Sequence, residues 1–139
     1  MYKKIVTHQD LDVYQLSVEA AMEIFELTKK FPSDEKYSLT DQIRRSSRSV
    51  SGQIGEAWRR RVYPAAFVNK LNEAESEGAE TQVWLEYSMK CGYITTEISS
   101  ALHNKYEIII RKLITMQNSP EKWTLSAKKF YDKKSVIES

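Results

Sequence analysis

Hydrophobic positions recur along the chain at alternating spacings of three and four, and they do so in four separate stretches. In the first, Leu11, Tyr14, Val18, Ala21, Phe25 and Thr28 form one stripe, which Leu16, Ala20, Ile24, Leu27 and Phe31 widen. That period predicts an amphipathic helix over about residues 11–31, with Asp10 as its N-cap and Phe31-Pro32 as its stop. A proline pushes the residue before it out of the helical region, so the helix ends there. The second stretch runs from Leu39 to Arg61 or Val62, capped by Ser38 or Thr40. Its stripe is thin: Leu39, Ile43, Val50, Ile54 and Ala57, with Ser46 on the same face. Ser46, Ser47, Ser49, Ser51, Gly52 and Gly55 all fall inside it, and such residues are mediocre to poor helix formers. Packing must therefore stabilise this helix more than propensity does, and its lack of bulk predicts a close helical neighbour.

The third stretch opens at Pro64, a residue suited to the first helical position, and closes at Cys91-Gly92. Phe67, Leu71, Ala74, Gly78, Thr81, Leu85 and Ser88 alternate four and three without a break, which makes a continuous seam. The fourth begins at Thr95 or Thr96 and ends near Asn118. Ile94, Ile98, Ala101 or Leu102, Lys105, Ile109, Lys112 or Leu113, and Met116 mark its predicted face. Pro32, Pro64, Gly92 and Pro120 separate the segments.

Long helices joined by connections of a few residues lie antiparallel to their sequence neighbours. The expected fold is all-α, an antiparallel up-down-up-down four-helix bundle over residues 1–118. A loosely ordered tail over 119–139 follows, holding Lys128, Lys129, Phe130, Tyr131, Lys133 and Lys134 and docked through Trp123. Four glycines and three prolines in 139 residues support this reading. That is well under half the usual share of roughly 12%, and too few turn formers for a small all-β fold. Gly52 and Gly55 on the second helix and Gly78 on the third are expected to mark where those two helices approach most closely.

Candidate chemistry narrows by exclusion. The single cysteine, Cys91, allows neither an intrachain disulfide nor a cysteine metal cluster, and reads as a buried thiol at a helix end. With only His8 and His103, no Glu-x-x-His pair exists for a carboxylate metal site, so no metal and no cofactor are expected. No nucleophile elbow or glycine-rich phosphate loop occurs, so no constellation supports an enzyme. No apolar run reaches the length of a membrane span and no signal sequence opens the chain, so the expected location is the cytoplasm.

Charge is balanced overall at +2 but unevenly placed. Arg44, Arg45 and Arg48 precede Arg59, Arg60 and Arg61 on the second helix, which against Asp41 and Glu56 carries +4. Positions 44, 48, 52, 55 and 59 share one side, so arginines flank a smooth strip at Gly52 and Gly55. Such a strip can lie against phosphates. The third helix carries Glu73, Glu75, Glu77, Glu80 and Glu86 against Lys70 and Lys90, a net of −3. The arginines can equally serve as ion-pair partners of these glutamates, within a chain or between subunits. Trp58, Tyr63, Trp84 and Tyr87 fall beside the seams and form a candidate oligomer interface, or else pack beneath neighbouring loops.

One further pattern is specific. Leu11-Asp12-Val13-Tyr14-Gln15, Lys30-Phe31-Pro32-Ser33-Asp34-Glu35 and Tyr37-Ser38-Leu39-Thr40-Asp41-Gln42-Ile43-Arg44-Arg45-Ser46 occur in order. Ser49 to Ala57 follows, similar to a family segment reading S-I-P-x-N-I-A-E-G, and then Leu85 to Ile94. In these the chain resembles, over about residues 10–117, the bacterial proteins encoded in intervening sequences of 23S ribosomal RNA genes. These are similar to the accessory protein of diversity-generating retroelements. The chain departs from the pattern at Ser51, Gln53 and Ala57. The resemblance implies a four-helix bundle assembling as a homopentamer. Its retroelement relatives bind nucleic acid and a reverse transcriptase. Arg44 and Arg45 match family positions, while the other four arginines are singled out by charge. The expected function is a non-enzymatic oligomer binding structured RNA or other nucleic acid through the second helix. The alternative is an interaction scaffold for a reverse transcriptase or ribonucleoprotein.

Overall fold

A computed structural model describes residues 4–124. Four helices make up the fold: α1 (Asp12–Thr28), α2 (Leu39–Arg59), α3 (Pro64–Lys90) and α4 (Thr96–Asn118). Short 3-10 turns at His8–Asp10, Ser33–Glu35 and Pro120–Lys122 flank or join them. Side chains that meet across each pair of neighbours run in opposite senses. Ser17 and Thr28 of α1 bond Ser51 and Arg44 of α2. Ser46 of α2 meets Thr81 of α3, while Gln53 meets Lys70. Gln82 and Glu75 of α3 meet Glu107 and Gln117 of α4. The four helices thus alternate in direction around one core, as their short connections require.

The seam expected on α3 is buried at every one of its seven positions, and Leu39, Ile43, Ser46, Val50, Ile54 and Ala57 of α2 are buried opposite it. The turn from α3 to α4 is built as anticipated. Gly92 takes a φ of 79°, its N–H donates to Met89 O and that of Tyr93 donates to Ser88 O, both at 2.9 Å. This is a Schellman ending, which needs a residue free to enter the left-handed region. Thr95 then caps α4, its hydroxyl accepting from Ile98 N at 3.1 Å. The Tyr93 hydroxyl donates to Glu35 at 2.9 Å and ties this turn to the α1–α2 connection. That hydrogen bond, with help from desolvation, pushes the phenol up to about 12.

Several expectations need correction. Asp10 does not cap α1; its carboxylate accepts from Val6 N and Thr7 N and closes the 3-10 turn, leaving Leu11 at the cap position. Ser38 sits at the cap of α2 but makes no side-chain cap bond. α1 ends at Thr28, ahead of Phe31, and α2 at Arg59, ahead of Arg61. The buried line of α1 is Val13, Ser17, Ala20, Ile24 and Thr28; the last three lie in the broad face expected, while Val13 and Ser17 do not. On α4 it is Ser99, Leu102, Tyr106, Ile109, Leu113 and Met116, so Ile98 and Lys105 are exposed and their successors buried. Cys91 is exposed.

The glycines do not mark the α2–α3 contact. Gly78 faces α4, where an added Cβ would lie 3.3 Å from Ile110 Cγ1. Gly55 faces His8, at 3.7 Å from its Cδ2. Gly52 is exposed, with nothing within 4 Å of a Cβ built there. A buried polar contact between α2 and α3 is instead the Ser46–Thr81 hydroxyl pair at 2.9 Å. Trp123 does dock, its ring edge-on to Trp58 at 6.4 Å between centroids. Of the tail expected over 119–139, residues 119–124 are described and include the 3-10 turn Pro120–Lys122; residues 125–139 lie outside the described residues.

Candidate nucleic-acid interface

The six arginines of α2 and its C-terminal end separate into two groups by what they touch. Arg44 and Arg61 are structural. The Arg44 guanidinium lies 4.9 Å from the Phe25 ring centroid, and its Nε donates to Thr28 Oγ1 at 2.8 Å. Arg61 follows the end of α2 and folds back onto the core. It stacks 3.5 Å over the Trp58 ring and donates from Nε to Trp58 O at 2.8 Å. Burial, then the charge of Arg59, lowers the pKa of Arg61.

Arg45, Arg48, Arg59 and Arg60 are exposed. Arg45 donates to Gln42 within its own helix, and Arg48 leans over Phe25 at 5.7 Å. Among the described residues, none of Arg44, Arg45, Arg48, Arg59 and Arg60 forms an ion pair. The acidic side chains between α2 and α3 are met by a lysine instead. Lys70 of α3 reaches Glu73 at 3.1 Å and Glu56 of α2 at 3.2 Å, and these bonds raise its pKa. Arg45 acts on α3 only at longer range: burial and then Glu80 push Glu77 up, and the Arg45 charge opposes them. Among the described residues of one chain, the ion-pair reading of the arginines therefore finds no partner for these five. The groove between α1 and α4 is lined by Glu19, Glu23 and Glu26 against one lysine, Lys105, which pairs with Glu23, so it is acidic where the outer face of α2 is basic.

The aromatic flank divides as well. Trp58 is 5% exposed and held between Trp123 and Arg61, so its packing within the chain leaves it no face for another subunit. This corrects its place in the candidate oligomer interface. Trp84 is half-buried beside Tyr87, at 5.8 Å between centroids. Tyr63 and Tyr87 are 59% and 55% exposed.

One element of the site escaped the sequence reading. His8, Tyr14, Ser51, Gly52, Gly55, Glu56, Arg59 and Arg60 together line a concavity of about 450 Å³. The 3-10 turn places His8 there, held by a reciprocal cap between Thr7 and Asp10. Its ring meets Tyr14 edge-on at 4.8 Å. The signal was present as two glycines on the polar face of a helix, but nothing in the periodicity ties His8 to them. Among the described residues no group of His, Cys, Asp and Glu is placed to hold a metal, and no helix is long and apolar enough to cross a membrane.

The family model for 23S rRNA-intervening sequence proteins matches residues 9–115. Among solved structures, a protein of unknown function from the S23 ribosomal protein family of Bacteroides thetaiotaomicron superimposes with a TM-score of 0.69 at 34% identity. The match covers 76% of this chain and 95% of that one. No curated protein matches. The matched span takes in all of α1, α2 and α3 and most of α4, and the chain belongs to the 23S rRNA-intervening sequence protein family.

Proposed function

We propose that the chain is a non-enzymatic, oligomeric RNA-binding bundle whose contact surface is the outer face of α2. The observation that carries this is the state of Arg48, Arg59 and Arg60: exposed, and in no ion pair among the described residues. Arg48 and Arg59 lie roughly 16 Å apart along the helix axis, with Gly52 and Gly55 between them as a stretch without side chains. Guanidinium groups without carboxylate partners keep their donors free for phosphate oxygens, and such contacts are sequence-independent and salt-sensitive. Structured RNA is the favoured ligand because the family is tied to ribosomal RNA genes; DNA is the competing one. The protein assembles as a homopentamer, as the resemblance implies, with Tyr63, Trp84 and Tyr87 as the aromatic side chains free to enter an interface. Its assembled mass in solution checks that. A protein-scaffold role beside a reverse transcriptase or ribonucleoprotein is the second reading, favoured by the exposed Tyr63 and Tyr87.

Changing Arg48, Arg59 and Arg60 together to alanine should weaken binding of an RNA hairpin at least about tenfold at roughly 0.1 M salt. The slope of log affinity against log salt should become shallower by about 2–3, from a release of roughly 0.7–0.9 counterions per lost phosphate contact. Fluorescence anisotropy across a salt series measures both. An unchanged affinity and slope would remove α2 as the contact surface.

A further inference from the structure

The geometry points to the concavity beside α2 as a receptor for a single unpaired nucleotide of RNA. Its base would lie over the bare Gly52 surface against the His8–Tyr14 ring pair that begins at Gly55, and its phosphate at Arg59 and Arg60. This rests on the reading of α2 as an RNA-binding face and specifies what part of an RNA that face selects.

The first observation is Gly52. A glycine in the middle of an exposed helix lowers stability, and close packing is the usual compensation. Here, among the described residues and apart from the helix's own backbone, nothing lies within 4 Å of where a side chain would begin. The fold does not require a glycine at this position; an open floor does. The second is Gly55, where the His8 ring lies 3.7 Å from the place a Cβ would occupy, so an aromatic ring already packs beside this backbone. The third is the chemistry of the walls. Tyr14 and His8 supply an aromatic side, Arg59 and Arg60 a cationic one, and Ser51, bonded to Ser17 at 2.9 Å, a hydroxyl. Glu56 also lines the site, but Lys70 holds its carboxylate at 3.2 Å and offsets its charge. The volume, about 450 Å³, is within the range of sites for small planar ligands.

A simple anion needs no ring wall, and a duplex has no base to give one. The bases of an A-form helix are stacked inside it, behind a major groove too narrow for side chains. Bulges and loops present bases that can splay onto aromatic and guanidinium surfaces. Flat floor, aromatic wall and cationic rim together fit an unpaired nucleotide.

The test uses the full chain and two RNA hairpins, one with a single bulged adenosine and one fully paired, with adenosine monophosphate as a third probe. Wild type should bind the bulged hairpin roughly tenfold tighter than the paired one, the usual scale of one base–aromatic stack. Gly52→Leu fills the floor from a position where a Cβ meets nothing within 4 Å among the described residues, and it replaces a glycine inside a helix with a better helix former, so its thermal midpoint should stay at or above that of wild type. It should lose the preference for the bulge while binding the paired hairpin unchanged. Equal binding of both hairpins by wild type, or a preference that survives Gly52→Leu, overturns the pocket and leaves the arginine surface standing. Binding of neither hairpin overturns the arginine surface itself. Adenosine monophosphate binding as tightly as the bulged hairpin would assign the site to a free nucleotide and overturn its assignment to RNA.

Discussion

Replacing Tyr106 with alanine is expected to destabilise the bundle by about 3–5 kcal/mol, and replacing it with phenylalanine to stabilise it by about 1 kcal/mol. Tyr106 is fully buried in α4, its ring packed where Gly78 leaves room on α3. Truncation to alanine empties an aromatic-sized volume that the surrounding helices cannot collapse to fill. Against a total stability of about 5–15 kcal/mol, that loss is large. The hydroxyl is a separate matter. It is buried and finds no hydrogen-bond partner among the described residues, and an unsatisfied buried polar group costs about 1–3 kcal/mol. Phenylalanine keeps the ring and removes that cost. The sign with pH follows. Burial, then the charge of Glu23, raises the Tyr106 pKa above its ordinary 10.0. Its contribution is therefore intact below pH 10 and declines as pH rises beyond it, where the unfolded chain gives up a phenolic proton that the folded one retains. The phenylalanine variant lacks that share of the alkaline decline. Urea unfolding followed by circular dichroism at neutral and high pH measures all three results. A phenylalanine variant less stable than wild type by more than about 1 kcal/mol would show that the hydroxyl has a stabilising partner.

At Ser46 the expectation reverses: size should matter more than the hydrogen bond. Ser46 and Thr81 are both fully buried, where α2 and α3 meet. Ser46→Ala removes one hydroxyl, yet Thr81 keeps a second acceptor in Glu77 O at 2.9 Å. The expected cost is below about 1 kcal/mol. Ser46→Leu adds three carbons where the helices touch, and overpacking of this kind costs about 3 kcal/mol. The same unfolding experiment ranks the two. A leucine variant as stable as the alanine one would mean that the helices are further apart than the hydroxyl pair implies.

Ser46 also explains how far the fold could be read in advance. The helices and the whole α3 seam were legible because apolar residues at a 3.5 to 3.6 period have few alternative explanations. The errors fell where the seam position is a hydroxyl. On α1 the buried line passes through Ser17, and on α4 it starts at Ser99, beside the more conspicuous Ile98. Along the seams Ser17, Thr28, Thr81 and Ser88 each donate to a carbonyl three or four residues earlier in their own helix. A serine or threonine bonded in this way presents little more than a methylene or methyl to its neighbours. Its type reads as polar while its packing is that of a small apolar residue.

The site was legible in charge and not in shape. The arginine cluster is plain in the chain, but which arginines are available depends on Phe25, Thr28 and Trp58, which take up Arg44 and Arg61. Trp58 itself sits one residue past Ala57, and the docking of Trp123 turns that flank into core. His8 comes from the other end of α1 and reaches Gly55 only through tertiary structure.

The α3–α4 turn bears on the order in which the chain assembles. Gly92, its two carbonyl bonds and the Thr95 cap act between residues only three to five apart. They favour a helical hairpin at low loop-closure cost. Lys105 and Glu23, which join α4 to α1, are 82 residues apart. Contacts of short span close at a lower entropic cost than those of long span, so the hairpin is expected to form before the α1–α4 contacts. Gly92→Ala should therefore slow folding, whereas Ala20→Gly in α1 should mainly quicken unfolding, a partition that denaturant-dependent rates resolve.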